Sequence, residues 1–185
     1  MTNESLQIII REWQPDPARG AAIDVELGML ADLLRAVVHR GASVNFFLPF
    51  SIGDARAFWA GKILPQVRAG KRRVLLAWSD QTIVGTVQMD LDTPPNQPHR
   101  ASVEKVLVHP EFHRQGIARA LMRELETLAR AEARTLLTLD TVTGSAAQSL
   151  YQSLGYSTAG IIPGYARGAL TPELESTTIM YKHLA

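Results

Sequence analysis

Val106-Leu107-Val108-His109-Pro110-Glu111-Phe112-His113-Arg114-Gln115-Gly116-Ile117-Ala118-Arg119-Ala120-Leu121 decides the fold, because it reads as an apolar strand, a tight loop and the start of a helix. The first turn of a helix at such a junction presents unpaired backbone N–H groups and the positive end of its dipole. Together they bind phosphate without any cationic side chain. Gly116 and Ala118 are small enough to let a pyrophosphate reach those groups, and Arg114 and Arg119 can add charge-assisted contacts at the edge. Taken alone, a glycine in such a loop more often marks an ordinary connection than a ligand site. Two nucleotide motifs are absent: no Gly-Lys-Ser or Gly-Lys-Thr follows, and the dinucleotide fingerprint lacks its third glycine and its downstream acid.

Working outward, Ala101 to His109 is a strand and Gly116 to Ala133 a helix, with Ile117, Leu121, Leu125, Leu128 and Ala129 on one face and Arg119, Arg123, Glu126 and Arg130 on the other. Thr135 to Val142 is the next strand, so residues 101–142 imply a right-handed crossover and a parallel pair. Upstream, Arg73 to Trp78 and Thr82 to Leu91 flank Ser79-Asp80-Gln81 and predict an antiparallel hairpin. Pro94, Pro95 and Pro98 make the following segment a loop. Nearer the N-terminus, Leu6 to Ile10 reads as a strand, Gln14 to Pro17 as a loop, and Asp24 to His39 as a helix stopped by Gly41. A second helical stretch, Asp54 to Ala69, has an end blurred by Pro65. Downstream, Ser145 to Leu154 is a helix ended by Gly155, and Ile161-Ile162 and Thr177 to Lys182 are closing strands. The sheet is therefore expected to be mixed, in one domain spanning residues 1–185.

Composition narrows the function. Nineteen Lys and Arg against 18 Asp and Glu leave a formal charge of +1, without the positive field that nucleic-acid binding needs. The chain has no cysteine, which removes disulfides, thiolate metal sites and thiol nucleophiles. No basic leader and no run of 18 apolar residues is present, so we expect a soluble, cytoplasmic protein with no membrane partner. His99, His109 and His113 lack metal-ligand spacing, and we expect no metal.

The loop His113-Arg114-Gln115-Gly116-Ile117-Ala118 resembles the acetyl-CoA loop of the GNAT superfamily, with His113 where the family has glutamine or arginine. Val106-Leu107-Val108 resembles the family strand whose splayed backbone pairs with the pantetheine arm. Leu150-Tyr151-Gln152-Ser153-Leu154-Gly155-Tyr156 resembles the family's Leu-Tyr helix ending in Gly-aromatic. The resemblance implies an α/β fold with a mixed, mainly antiparallel central sheet flanked by helices, in the order β-α-α-β-β-β-α-β-α-β-β. It implies acetyl-CoA as cosubstrate, held by Val106, Leu107, Val108, His113, Arg114, Gln115, Gly116, Ile117, Ala118 and Arg119. The family's asparagine three residues before Ala147 is Gly144 here, and Ser145 is the substitute contact. More narrowly, Gly41 to Val44, Leu139-Asp140-Thr141, Gly144-Ser145, Tyr151 and Pro163-Gly164-Tyr165 are similar to tabtoxin-resistance-type acetyltransferases.

Acetyl transfer to an amine needs a deprotonated amine, a stabilised oxyanion and a proton for the departing thiolate. Tyr151 is either a half-buried core tyrosine or, as the resemblance implies, the general acid at the CoA sulfur. Asp140, at the end of an apolar strand, either caps the next helix or serves the acceptor amine as base or anchor. Spacing leaves these two level, and the resemblance, which implies an aspartate–tyrosine pair, tips the choice to function. It also implies the Val108 N–H as oxyanion donor. Glu104 is the tempting alternative base, but the family position falls on Ser102, so Glu104 is expected to be solvated or paired near Lys105 or Arg100. Trp13, Trp59 and Trp78 are core anchors. Ser43, Asn45, Phe46 and Tyr165, with Phe47, belong to loops that either shape an amine pocket or cover the core.

The expected partner is a small-molecule amine, with an amino-acid-like toxin or antibiotic as the case the narrower resemblance suggests. The alternatives are a protein N-terminal or lysine acetyltransferase and a non-catalytic acyl-CoA-binding module. The module has no need of Tyr151 or Asp140. A homodimer is compatible with the family.

Overall fold

The computed structural model describes residues 7–185. A single seven-stranded sheet runs in the order β1-β2-β3-β4-β5-β7-β6. Its strands are β1 (Ile8–Glu12), β2 (Arg72–Ser79), β3 (Thr82–Asp90), β4 (Arg100–Val108), β5 (Leu136–Val142), β6 (Ser157–Arg167) and β7 (Leu174–His183). Every pairing is antiparallel except β4 with β5, joined by helix α4 (Ile117–Ala131). The mixed α/β architecture is the one the element order predicts. Leu6, read as the start of the first strand, lies outside the described residues.

Each face of the sheet has its own core. Leu75, Ala77, Val84, Met89, Leu137 and Leu139 point to one side, against Ile117, Leu121, Leu125 and Ala129 of α4 and Tyr151 of α5 (Ala146–Ser153). Val74, Leu76, Ile83 and Leu107 point to the other, against Leu27, Leu30, Leu34 and Val38 of α1 (Gly20–His39). This is the period-two alternation of strands meeting the 3.6-residue stripe of helices. Trp13 and Trp59 are buried in the second core as edge-to-face neighbours, 6.3 Å apart. Trp78 packs against it partly buried.

Four local readings need correction. Helix α1 begins at Gly20 rather than Asp24, because a short 3-10 turn at Pro17–Arg19, capped by Asp16, starts the winding earlier. The second helical stretch runs from α2 (Ile52–Ala57) through a π turn (Phe58–Ile63) into α3 (Leu64–Arg68). The Leu64 N–H donates to the Trp59 carbonyl five residues back, and this wider winding accommodates Pro65, which cannot fill an α-type bond. The closing strands are longer than the runs 161–162 and 177–182, because their pairing continues through exposed polar residues. Glu126, assigned to the polar face of α4, is buried and accepts from Lys182 Nζ at 2.7 Å; Lys182 also donates to the Leu154 carbonyl, joining α4, β7 and the end of α5.

Candidate active site

Strands β4 and β5 are paired only at Arg100–Leu136, Ala101–Leu137 and Ser102–Thr138. Beyond that point β4 stays with β3 as far as Val108, while β5 stays with β7 as far as Val142. The facing edges of residues 103–108 and 139–142 therefore open into a gap. The inward positions Ala101 and Val103 give way to Val106 and Val108, which pack on the same core. Odd numbers become even because Lys105 and Val106 together oppose Val87, a bulge with Lys105 at φ 49°. The His109 N–H donates to the Val84 carbonyl at 2.8 Å, so alternation turns the N–H and C=O of Val108 away from β3 and toward the gap. His113 Nε2–H donates to that carbonyl at 2.9 Å, leaving the Val108 N–H as the group on offer.

The loop after β4 is shaped by backbone rather than side chains. His109 caps the short turn Pro110–Phe112, and Arg114 and Gly116 both take left-handed conformations, with φ of 62° and 80°. The first bond of α4 runs from the Ala120 N–H to the Gly116 carbonyl, and no side chain caps the helix. The N–H groups of Ile117, Ala118 and Arg119 thus face outward unpaired. A Cβ on Gly116 would point into open space, the space an anion needs to reach them. Exposed Arg114 and Gln115 flank this corner, while the Arg119 guanidinium donates to Ser153 Oγ at 2.8 Å and ties α4 to α5. Gly85 brings α4 close to the sheet: a Cβ there would stand 3.0 Å from the Leu107 carbonyl and 3.2 Å from Ile117 Cγ2. These features fit a pyrophosphate-bearing ligand at the corner and an extended arm along the gap.

Tyr151 is buried on the α4 side, with its ring 5.9 Å from that of Tyr156. Burial first, and the Asp140 charge second, raise its pKa well above the ordinary phenol value, so it carries its proton throughout the physiological range. Asp140 lies one position beyond inward-facing Leu139 and so projects from the opposite face. It is exposed, and its Oδ2 accepts from Thr177 Oγ1 at 3.2 Å. It caps nothing: Ser145 caps α5, accepting from the Gln148 N–H at 3.1 Å, and its hydroxyl also meets Thr141 Oγ1 at 3.2 Å. The two candidates thus flank the open end of the gap from opposite faces.

The acceptor side holds residues that spacing alone does not reveal. Phe46 packs on Phe50 and Phe58, at 4.6 and 5.2 Å between ring centres, so it both belongs to the core and lines the face above β4. Lys105 Nζ lies 5.9 Å from the Phe46 ring centre and 5.8 Å from that of Phe58. Ser43 is half-buried and Asn45 exposed at φ 70° on the same segment. The Leu48 N–H donates to the Ala169 carbonyl at 3.3 Å, joining this segment to the tip of the β6–β7 hairpin. Tyr165 is exposed on the edge strand β6, with β7 between it and β5. Glu104 does not pair with Lys105 or Arg100: it accepts from Arg72 Nη1 at 2.8 Å, in a cluster of partly exposed Glu104 and Asp90 with buried Gln88 around buried Arg72. Among the described residues no group of three His, Asp or Glu could hold a metal ion, and no helix is long and apolar enough to cross a membrane.

Comparison with known proteins agrees with this geometry. Human N-acetyltransferase 8 is 36% identical over 87 residues, which is 46% of this chain and 38% of that protein, so the match spans well under half of the relative. The crystal structure of an N-acetyltransferase from Staphylococcus aureus Mu50 superposes with a TM-score of 0.77 at 14% identity, over 97% of this chain and 99% of that one. A Salmonella typhimurium structure solved with its cofactor acetyl-CoA superposes with a TM-score of 0.72 at 19% identity, over 97% and 95%. Residues 38–156, from the end of α1 through Tyr156, match the acetyltransferase (GNAT) family as a whole, and the chain belongs to that family.

Proposed function

We propose that this protein is an acetyl-CoA-dependent N-acetyltransferase whose acceptor is the primary amine of a small molecule. The observation that carries the reading is the gap between β4 and β5, with the uncapped N-terminus of α4 at one end and Tyr151 and Asp140 on opposite faces of the sheet beside it. Acetyl-CoA supplies an activated thioester. The Ile117, Ala118 and Arg119 N–H groups, with Arg114, hold its pyrophosphate, and the free edge of Val106 to Val108 holds its arm. Asp140 fixes the acceptor ammonium and takes its proton directly or through water. The Val108 N–H stabilises the oxygen on which negative charge develops. Tyr151, kept protonated by burial, donates a hydrogen bond and then a proton to the leaving sulfur. The joining of loops 41–50 and 167–174 at Leu48 and Ala169 supports a small acceptor over a protein segment, because loops tied together leave less room for an extended peptide. The tabtoxin-resistance-type resemblance supports an amino-acid-like toxin or antibiotic as one such acceptor. Cytoplasmic placement accords with a cysteine-free chain.

A thiol-release assay with acetyl-CoA against amino acids, polyamines, β-lactam amino-acid toxins and basic peptides tests the reading, with calorimetric titration of CoA alongside. Release with a small amine and none with peptides is the expected result; failure to bind CoA overturns it.

A further inference from the structure

Lys105 is a costly residue in an unusual backbone. It occupies the left-handed position of the β4 bulge, at φ 49°, a conformation that favours glycine and that a long side chain adopts only when its surroundings enforce it. The bulge puts Glu104 and Lys105 on the same face, yet Glu104 turns to Arg72. Lys105 is left with two phenyl faces around its ammonium and, among the described residues, with no carboxylate in ion-pair contact. Lys62 stands beside it, its Nζ 6.0 Å from the same Phe58 ring, and it too makes no ion pair there. Phenyl faces attract a cation but accept no conventional hydrogen bond, so the donors of half-buried Lys105 are left to water or to an incoming anion. Burial, then repulsion from Lys62 and Arg72, hold its pKa below the ordinary lysine value against the attraction of Glu104 and Asp140.

We propose that Lys105, assisted by Lys62, is the binding site for a carboxylate on the acceptor, so that the acceptor is an amino acid with its amine and carboxylate close together. The inference rests on the acetyltransferase reading and narrows it. Lys105 and Asp140 project from the same face of the sheet, on the two sides of the gap, and the Asp140 charge is near enough to be felt at Lys105. A zwitterion fits between them: its ammonium toward Asp140, where the proton must leave, and its carboxylate toward Lys105. The incoming anion supplies the hydrogen-bond acceptors that the phenyl cage lacks. An N-terminal peptide amine, whose neighbouring carbonyl is an uncharged amide, or a polyamine leaves Lys105 unanswered.

The test is a matched pair: each of a panel of L-amino acids against its own carboxamide, by thiol release with acetyl-CoA, for the wild type, Lys105→Met, Lys105→Arg and Lys62→Met. Methionine keeps the packing against Phe46 and Phe58 while removing the charge. The expected wild-type preference in kcat/KM for the acid over the amide is about tenfold or more, the scale of a charge-assisted hydrogen bond. Lys105→Met should collapse that ratio toward one, chiefly through KM, Lys105→Arg should restore most of it, and Lys62→Met should lower it partly. A wild type that uses amides as well as acids, or neither, overturns the proposal, as does a ratio unchanged in Lys105→Met. Calorimetric titration of CoA separates the two levels: no CoA binding by the wild type removes the acetyltransferase reading itself, whereas CoA binding with no acid preference removes only this one.

Discussion

On the proposed reading, the two faces of the sheet recognise their ligands by different means. On the α4 side the coenzyme would be held by backbone, with Tyr151 as the one proposed catalytic side chain: unpaired N–H groups at Ile117 to Arg119, left-handed turns at Arg114 and Gly116, and the free edge of Val106 to Val108. On the α1 side it is held by side chains from separate segments: Phe46 after α1, Phe58 and Lys62 in the π turn, Lys105 in the bulge, and Asp140 and Thr177 on adjacent strands. Backbone recognition compresses into a short run of residues and repeats wherever the same ligand is bound. Side-chain recognition is spread along the chain and changes with every acceptor.

If the faces divide the work this way, variants should separate coenzyme binding from turnover. Tyr151→Phe should give the largest effect, lowering kcat by about 10²–10⁴-fold, the range of general acid catalysis, with CoA affinity within about twofold of wild type by calorimetry. Asp140→Asn, which keeps an oxygen for Thr177, should lower kcat/KM for the amine by about 10²-fold with CoA affinity again unchanged. Loss of CoA binding in either variant would break the comparison. Gly116→Val attacks the backbone corner instead: the φ of 80° and the blocked approach to the N–H groups should weaken CoA by about tenfold or more. Gly85→Ala forces a contact with the Leu107 carbonyl and should cost about 1–3 kcal/mol, read as a thermal midpoint lower by several degrees.

The smallest effect concerns stability on the acceptor side. The folded protein binds the Lys105 proton less tightly than the unfolded chain does, so its charge opposes folding at neutral pH. That opposition fades as pH rises through the lowered folded-state value toward the ordinary lysine pKa. Lys105→Met should therefore raise stability at pH 7, as changes at binding residues often do, and should lack the wild type's gain on the alkaline side. Thermal melts from pH 7 to 10 measure both.

The α4 side could be read from the sequence because its signals are local. The apolar stripe of α4, the hairpin around Asp80 and the loop from His113 to Ala118 each lie within one short window. The π turn was hidden because Pro65 reads as a helix end unless a wider turn carries the chain past it. Lys105 was hidden differently: the switch from Ala101 and Val103 to Val106 and Val108 does announce a bulge, but not that a lysine occupies it or that Phe58, remote in sequence, faces it. The partner of Glu104 was misjudged for the same reason, since Arg72 reaches it from across β3.

On the proposed reading, the uncapped turn of α4 and the free edge of β4 share one property: both would address portions of the coenzyme that the reaction leaves intact. A grip on pyrophosphate and arm does not distinguish a loaded carrier from a spent one. Spent CoA should therefore compete with acetyl-CoA on nearly equal terms, so that turnover slows as the emptied carrier accumulates.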